Sequence, residues 1–151
     1  MTRMTWLLLL PMALAAGMAL PTQFAINSQL RNAAGGPVLA AGISFLVGTV
    51  VLLGATLVVR RAVPDLGPVL SAPWWMWTGG LLGAGFVLAS VILTPRLGAA
   101  TTIGLFLTGQ VIASVIIDHF GLFRVAVQEA TPLRLLGALL IVAGVVLVQR
   151  F

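Results

Sequence analysis

PVLAAGISFLVGTVVLLGATLVV, residues 37–59, runs for twenty-three residues without one charged side chain. A helix needs about 20 apolar residues to cross the hydrocarbon of a bilayer, and this stretch supplies them. Comparable runs lie on both sides of it: Trp6 to about Leu30, Trp74 to Thr94, Leu97 to about Ile117, and Leu133 to Gln149, the last at the short end of the range. The links between them are short: Arg31 to Gly36, Arg60 to Pro73, Pro95-Arg96, and Asp118 to Pro132. Short links make sequence neighbours pack side by side and antiparallel, and they leave no room for an extramembrane domain. The expected fold is an all-α integral membrane bundle of five transmembrane helices, forming a single transmembrane domain over residues 1–151.

Composition points the same way. Of 151 residues, 60% are hydrophobic and 7% charged, and the mean hydropathy is +1.16. A soluble domain is about a quarter charged, so this chain cannot cover itself with a water-facing surface. Its charges are eight arginines, no lysine, and Asp65, Asp118 and Glu129. The arginines stand singly or as one pair at the edges of apolar runs, where they set topology and meet lipid headgroups. Membrane lipid is therefore an expected partner. A net charge of +5 spread in this way makes no basic groove with interleaved stacking residues, which excludes nucleic-acid binding. The absence of cysteine excludes disulfides and thiolate chemistry. One histidine and three distant acids are too few for a metal site, and no cofactor is expected.

Arg3 followed by an apolar stretch and Ala13-Leu14-Ala15-Ala16-Gly17-Met18-Ala19 resembles a cleavable signal peptide. The run continues through Gln23 and Asn27, however, so it is expected to be retained as the first span. Trp6, Trp74, Trp75 and Trp77 open spans at the headgroup level, where an indole ring is half wet. Pro11 and Pro21 lie inside the first span, and Pro21 is expected to bend it or to act as a hinge. With five spans, Arg3, Arg60, Arg61, Arg124 and Arg134 fall on one side and Arg31, Arg96 and Arg150 on the other. That excess of two weakly favours an N-terminus inside. An imbalance so small permits insertion in both orientations.

Polar groups are costly in a bilayer, so each marks a possible function. Gln23 and Asn27 are four residues apart and share a helix face, as do Gln110, Ser114 and Asp118. Leu20-x-x-Gln23-x-x-x-Asn27-x-x-x-Arg31 parallels Leu107-x-x-Gln110-x-x-x-Ser114-x-x-x-Asp118. One reading places Gln23, Asn27, Gln110 and Ser114 around a substrate cavity. The other makes them interhelical glue, worth about 0.6 kcal/mol per contact. For the hydroxyls of Ser44, Thr49, Ser90, Thr94, Thr101, Thr102 and Thr108, bonding to their own backbone is favoured. Asp118 and His119 could carry a coupling proton. Their place at the end of a span equally suits a cap or a partner for Arg124. Gly79-x-x-x-Gly83 in the third span, and Gly137 and Gly144 two turns apart in the last, offer close helix approach and mark candidate dimer contacts.

The motifs Gln23-x-x-x-Asn27-x-x-Leu30-Arg31, Pro73-Trp74-Trp75-x-Trp77-x-Gly79-Gly80-x-x-Gly83-Ala84, Pro95-x-Leu97-Gly98, Gly109-Gln110 and Asp118-x-Phe120-Gly121 cover nearly the whole chain. In their order and layout the sequence resembles the YdcZ-type family of the drug/metabolite transporter (DMT) superfamily. The stretch Leu136-Gly137-Ala138-Leu139-Leu140-Ile141-Val142-Ala143-Gly144-Val145 is similar to the last helix of small multidrug resistance and EamA-like transporters. The resemblance implies a DMT/EamA-like bundle in the cell (inner) membrane. It also implies that short members pair head-to-tail, as an antiparallel homodimer or with a paralogue, and bind substrate near the midplane. Small multidrug exporters carry an acid in the middle of the first helix, where this chain has Gln23 and Asn27, so a cation-export mechanism does not carry over.

The leading expectation is thus a secondary transporter of a small polar or amphipathic solute, working by alternating access. The alternative is a non-transporting scaffold or accessory subunit. An enzyme is not expected, because the one Asp-His pair is adjacent in sequence and adjacent residues on a helix do not face each other.

Overall fold

A computed structural model describes residues 3–60 and 67–150. Helix α1 spans Arg3–Ala34, α2 Pro37–Arg60, and α3 is a single turn, Gly67–Leu70. A 3-10 turn at Trp74–Trp77 leads into α4, Thr78–Leu97; α5 is Ala99–Phe120 and α6 Pro132–Arg150. Among the described residues there is no strand, and five helical stretches are long and apolar enough to cross a membrane: Leu9–Ala34, Pro37–Val59, Trp74–Leu97, Ala99–Phe120 and Pro132–Arg150. Arg61 and Asp65 lie outside the described residues.

The helix ends differ from the sequence expectation in two instructive places. The first span does not stop at Leu30. Asn32, Ala33 and Ala34 continue the helix, and Gly35, at φ +73°, ends it. The Gly36 N–H then donates back to the Arg31 carbonyl at 3.1 Å, the six-to-one bond of a Schellman cap, which requires a left-handed residue in between. The third span, in turn, does not end at Pro95. The helix carries Pro95 inside it and breaks at Gly98, φ +82°, where the Thr102 N–H and hydroxyl both bond to the Gly98 carbonyl at 3.1 and 2.8 Å. A membrane helix tolerates the missing proline donor, whereas a residue at positive φ interrupts the helical backbone.

Two compact units result, residues 1–95 and 96–151. In the first, Ala40 and Ala41 of α2 pack on Val87 and Val91 of α4, with Leu30 and Ala34 of α1 beside them. The Phe24 ring is fully buried and meets Phe86 with centroids 5.6 Å apart, a tilted aromatic pair. At Gly83 a Cβ would stand 3.5 Å from the Phe45 ring, so α2 and α4 approach closely there. The second unit is the α5–α6 hairpin. Its tightest point is Gly104, where a Cβ would lie 2.6 Å from Val145 Cγ1. Large apolar side chains such as Val59, Leu81 and Leu133 stay exposed along the spans. That is the pattern of helices solvated by lipid rather than water.

Candidate functional site

The middle of the Leu9–Ala34 span falls between Pro21 and Thr22. At a rise of about 1.5 Å per residue, Gln23 sits about 2 Å from that centre, Asn27 about 8 Å, and Arg31 about 14 Å, near the edge of the hydrocarbon. Gln23 and Asn27 both line a groove of about 550 Å³ between α1 and α2, together with Thr22, Ile26, Ser44 and Val47. The Gln23 side chain is exposed on the groove wall. Asn27 is only 3% exposed, and its Nδ2 is buried with no hydrogen-bond partner. A buried donor left unsatisfied costs about 1–3 kcal/mol, so this amide is poised for an acceptor it does not have. Gln23 also borders a smaller recess of about 200 Å³ with Ser44, Phe45 and Thr49.

The hydroxyls mostly turn back on their own helices. Thr22, Thr49, Ser90, Thr102 and Thr108 donate to carbonyls three or four residues earlier, at 2.7–3.1 Å. Thr94 differs: it is 7% exposed, and its buried Oγ1 finds no partner.

In the second unit, Gln110 lies at the middle of the Ala99–Phe120 span and is exposed. Ser114, one turn on, is also exposed and donates to the Val111 carbonyl at 2.9 Å. Asp118 pairs with Arg134 of α6 rather than with Arg124. The reason is the path of the return loop. Phe123 and Arg124 adopt left-handed backbone angles, φ +56° and +64°, and the chain then runs back under the end of α5. There the Gln128 N–H donates to the Asp118 carbonyl at 2.9 Å, the Ala130 N–H donates to His119 Nδ1 at 3.2 Å, and Arg134 donates to the Gln128 carbonyl at 2.8 Å. Asp118 and His119 thus latch the foot of the hairpin. With Nδ1 accepting, a neutral His119 carries its proton on Nε2.

The Asp118 and Arg134 side chains are 23% and 29% exposed. Their ion pair should contribute about 1 kcal/mol. In a double-mutant cycle, Asp118→Asn and Arg134→Met should each lower the thermal midpoint, and the double variant should fall no further than the worse single. Fully additive losses would mean that the two side chains are not coupled.

Of the small residues singled out in the sequence, Gly83 serves the α2–α4 contact within the chain, while Gly79, Gly137 and Gly144 face open space. Gly104 was not singled out. The stripe Ala100, Gly104, Thr108 at four-residue steps was its available signal. Among the described residues no group of three His, Cys, Asp or Glu side chains could hold a metal.

An amide pair thus lies within a span, beside a groove of small-molecule size. Comparison with known proteins gives the family. Residues 8–147 match the model of a family described as "Putative inner membrane exporter, YdcZ". The chain is 33% identical over 149 residues to "Inner membrane protein YdcZ" of Escherichia coli (strain K12), covering 95% of each chain. No solved structure matches it. The chain is a multi-pass protein of the inner membrane, and it belongs to the YdcZ family of the drug/metabolite transporter type, which is described as one of exporters.

Proposed function

We propose that the protein is a secondary transporter of a small polar or amphipathic solute, working by alternating access as an antiparallel homodimer, with the solute bound at the Gln23–Asn27 face of α1. One observation carries this reading: two amides one turn apart within a span, Gln23 near its middle, line a groove, and no hydrogen bond joins them. Amides that merely glued helices together would bond one another or a neighbouring backbone. Amide side chains offer donors and an acceptor without a fixed charge, which suits a neutral or zwitterionic group. The open faces at Gly137 and Gly144 of α6, and at Gly79 of α4, leave surfaces for a second copy. Gln110 and Ser114 carry matching polar chemistry on α5 and are proposed as further solute-binding residues. Asp118 and His119 would carry a coupling proton only if the latch at the foot of the hairpin opens.

A solute library screened by thermal shift on the purified protein tests this, because a ligand of the native state raises its stability. Gln23→Leu and Gln110→Leu should each abolish the stabilisation while the protein stays monodisperse. If the leucine variants lose folding and binding together, the residues are glue and the scaffold reading stands. If they keep both, the solute binds elsewhere.

A further inference from the structure

We propose that the α1 groove selects an amphipathic organic carboxylate, its anionic end held by Asn27 and Arg31 and its apolar body laid along the groove. The inference rests on reading that groove as the solute site and names the class of solute it takes.

Three features converge on an anion. Asn27 lines the groove, and its Nδ2 donor is buried with no acceptor. Arg31 is one turn further along the same face of α1. It has no ion pair among the described residues, where Asp118 pairs with Arg134 alone. The described residues of the first unit contain no aspartate or glutamate at all, since Asp65 lies outside them. The groove therefore has an uncompensated cation one helical turn beyond Asn27, an unsatisfied donor on a residue of its lining, and no carboxylate to receive a positive charge. A cationic solute would meet Arg31 as a like charge and give up its hydration for nothing, whereas a carboxylate gains charge-assisted bonds from both groups.

The rest of the lining sets the other end of the molecule. Met18, Ala19, Ile26, Leu30, Ile43 and Val47 make the wall apolar, and about 550 Å³ lies within the range of small-molecule pockets. Arg31, about 14 Å from the middle of the span, stays at the hydrated edge when the site is empty. It can thus draw an anion inward without itself being buried.

The test uses three probes with one apolar body: phenylacetate, phenylacetamide and phenethylamine. They are titrated calorimetrically against the full-length protein in nanodiscs of uncharged phosphatidylcholine. Phenylacetate should bind at least about tenfold more tightly than phenethylamine, with the amide between them, a difference the size of one charge-assisted hydrogen bond. Arg31→Gln should bring phenylacetate down to the level of the amide. The proposal is overturned if the amine binds as tightly as the anion, or if Arg31→Gln leaves the anion's advantage in place. Binding of the amide and amine that Gln23→Leu removes, with no preference for the anion, would keep the groove as the site and reject the carboxylate. If no probe binds, or if all bind equally well to Gln23→Leu, the groove reading itself fails and the carboxylate proposal with it.

Discussion

Gly104→Leu should strip the α5–α6 hairpin of its packing and lower the thermal midpoint well below that of a leucine placed elsewhere in mid-α5. The cause is steric. A Cβ at position 104 would stand 2.6 Å from Val145 Cγ1, closer than carbon atoms tolerate. Val145 is β-branched and stiff about χ1, so it cannot swing away. Overpacking of this kind costs about 3 kcal/mol. Gly109→Leu is the control, because nothing lies within 4 Å of a Cβ there, and its midpoint should stay close to that of the native protein. The pair Gly104→Ala and Val145→Ala checks the mechanism. Gly104→Ala alone should destabilise, and adding Val145→Ala should recover part of the loss, since the methyl that clashes is gone. Equal midpoints for Gly104→Leu and Gly109→Leu would show that the two helices do not touch at that point.

The second large effect is on orientation. A lone cysteine at Ser71, in the link between α2 and α4, should react with an impermeant maleimide from both faces of the membrane, in roughly equal shares. The chain has no native cysteine to confuse the label. Five arginines fall on the side of that link and three on the other, and Asp65, Asp118 and Glu129 all lie on the richer side. One of the five, Arg134, is moreover tied to Asp118. What remains is too even to choose a direction. Three arginines added to the link between α1 and α2 should collapse the mixture to a single orientation, an all-or-none change at the Ser71 reporter. Labelling of the unaltered chain from one face alone would remove the antiparallel arrangement in its simple form.

The spans were legible because lipid solvation demands long apolar runs, and composition alone carries that demand. Their ends were less so. Pro95 looks like a stop in sequence, yet in a bilayer the loss of one donor is tolerated, and the left-handed Gly98 sets the break. The Gln23–Asn27 face was legible from spacing and depth. That Asn27 would be buried with an idle donor was not, because it depends on where Phe24 and its partner Phe86 bring α1 against α4, more than sixty residues away in sequence. The Asp118–Arg134 pair was hidden for a similar reason. Arg124 is nearer along the chain, and only the left-handed turn at Phe123 and Arg124 carries the backbone past it to α6. Gly104 has its counterpart in Val145, a residue with no signal of its own.

The tryptophan turn before α4 fixes how the protein can be watched. Trp74, Trp75 and Trp77 stand together at the entry of a span, Trp74 and Trp77 well exposed, and the chain contains no tyrosine. Trp6, the fourth indole, precedes Gln23 by seventeen residues of continuous helix, about 25 Å along the axis. Most of the intrinsic ultraviolet emission therefore arises at the entry of the α4 span. It reports how deeply the chain is seated, the thickness of the surrounding bilayer and the approach of quenchers from the water. Events near the middle of α1 are optically silent, so a spectrum that does not change on adding a solute says nothing about whether the solute has bound.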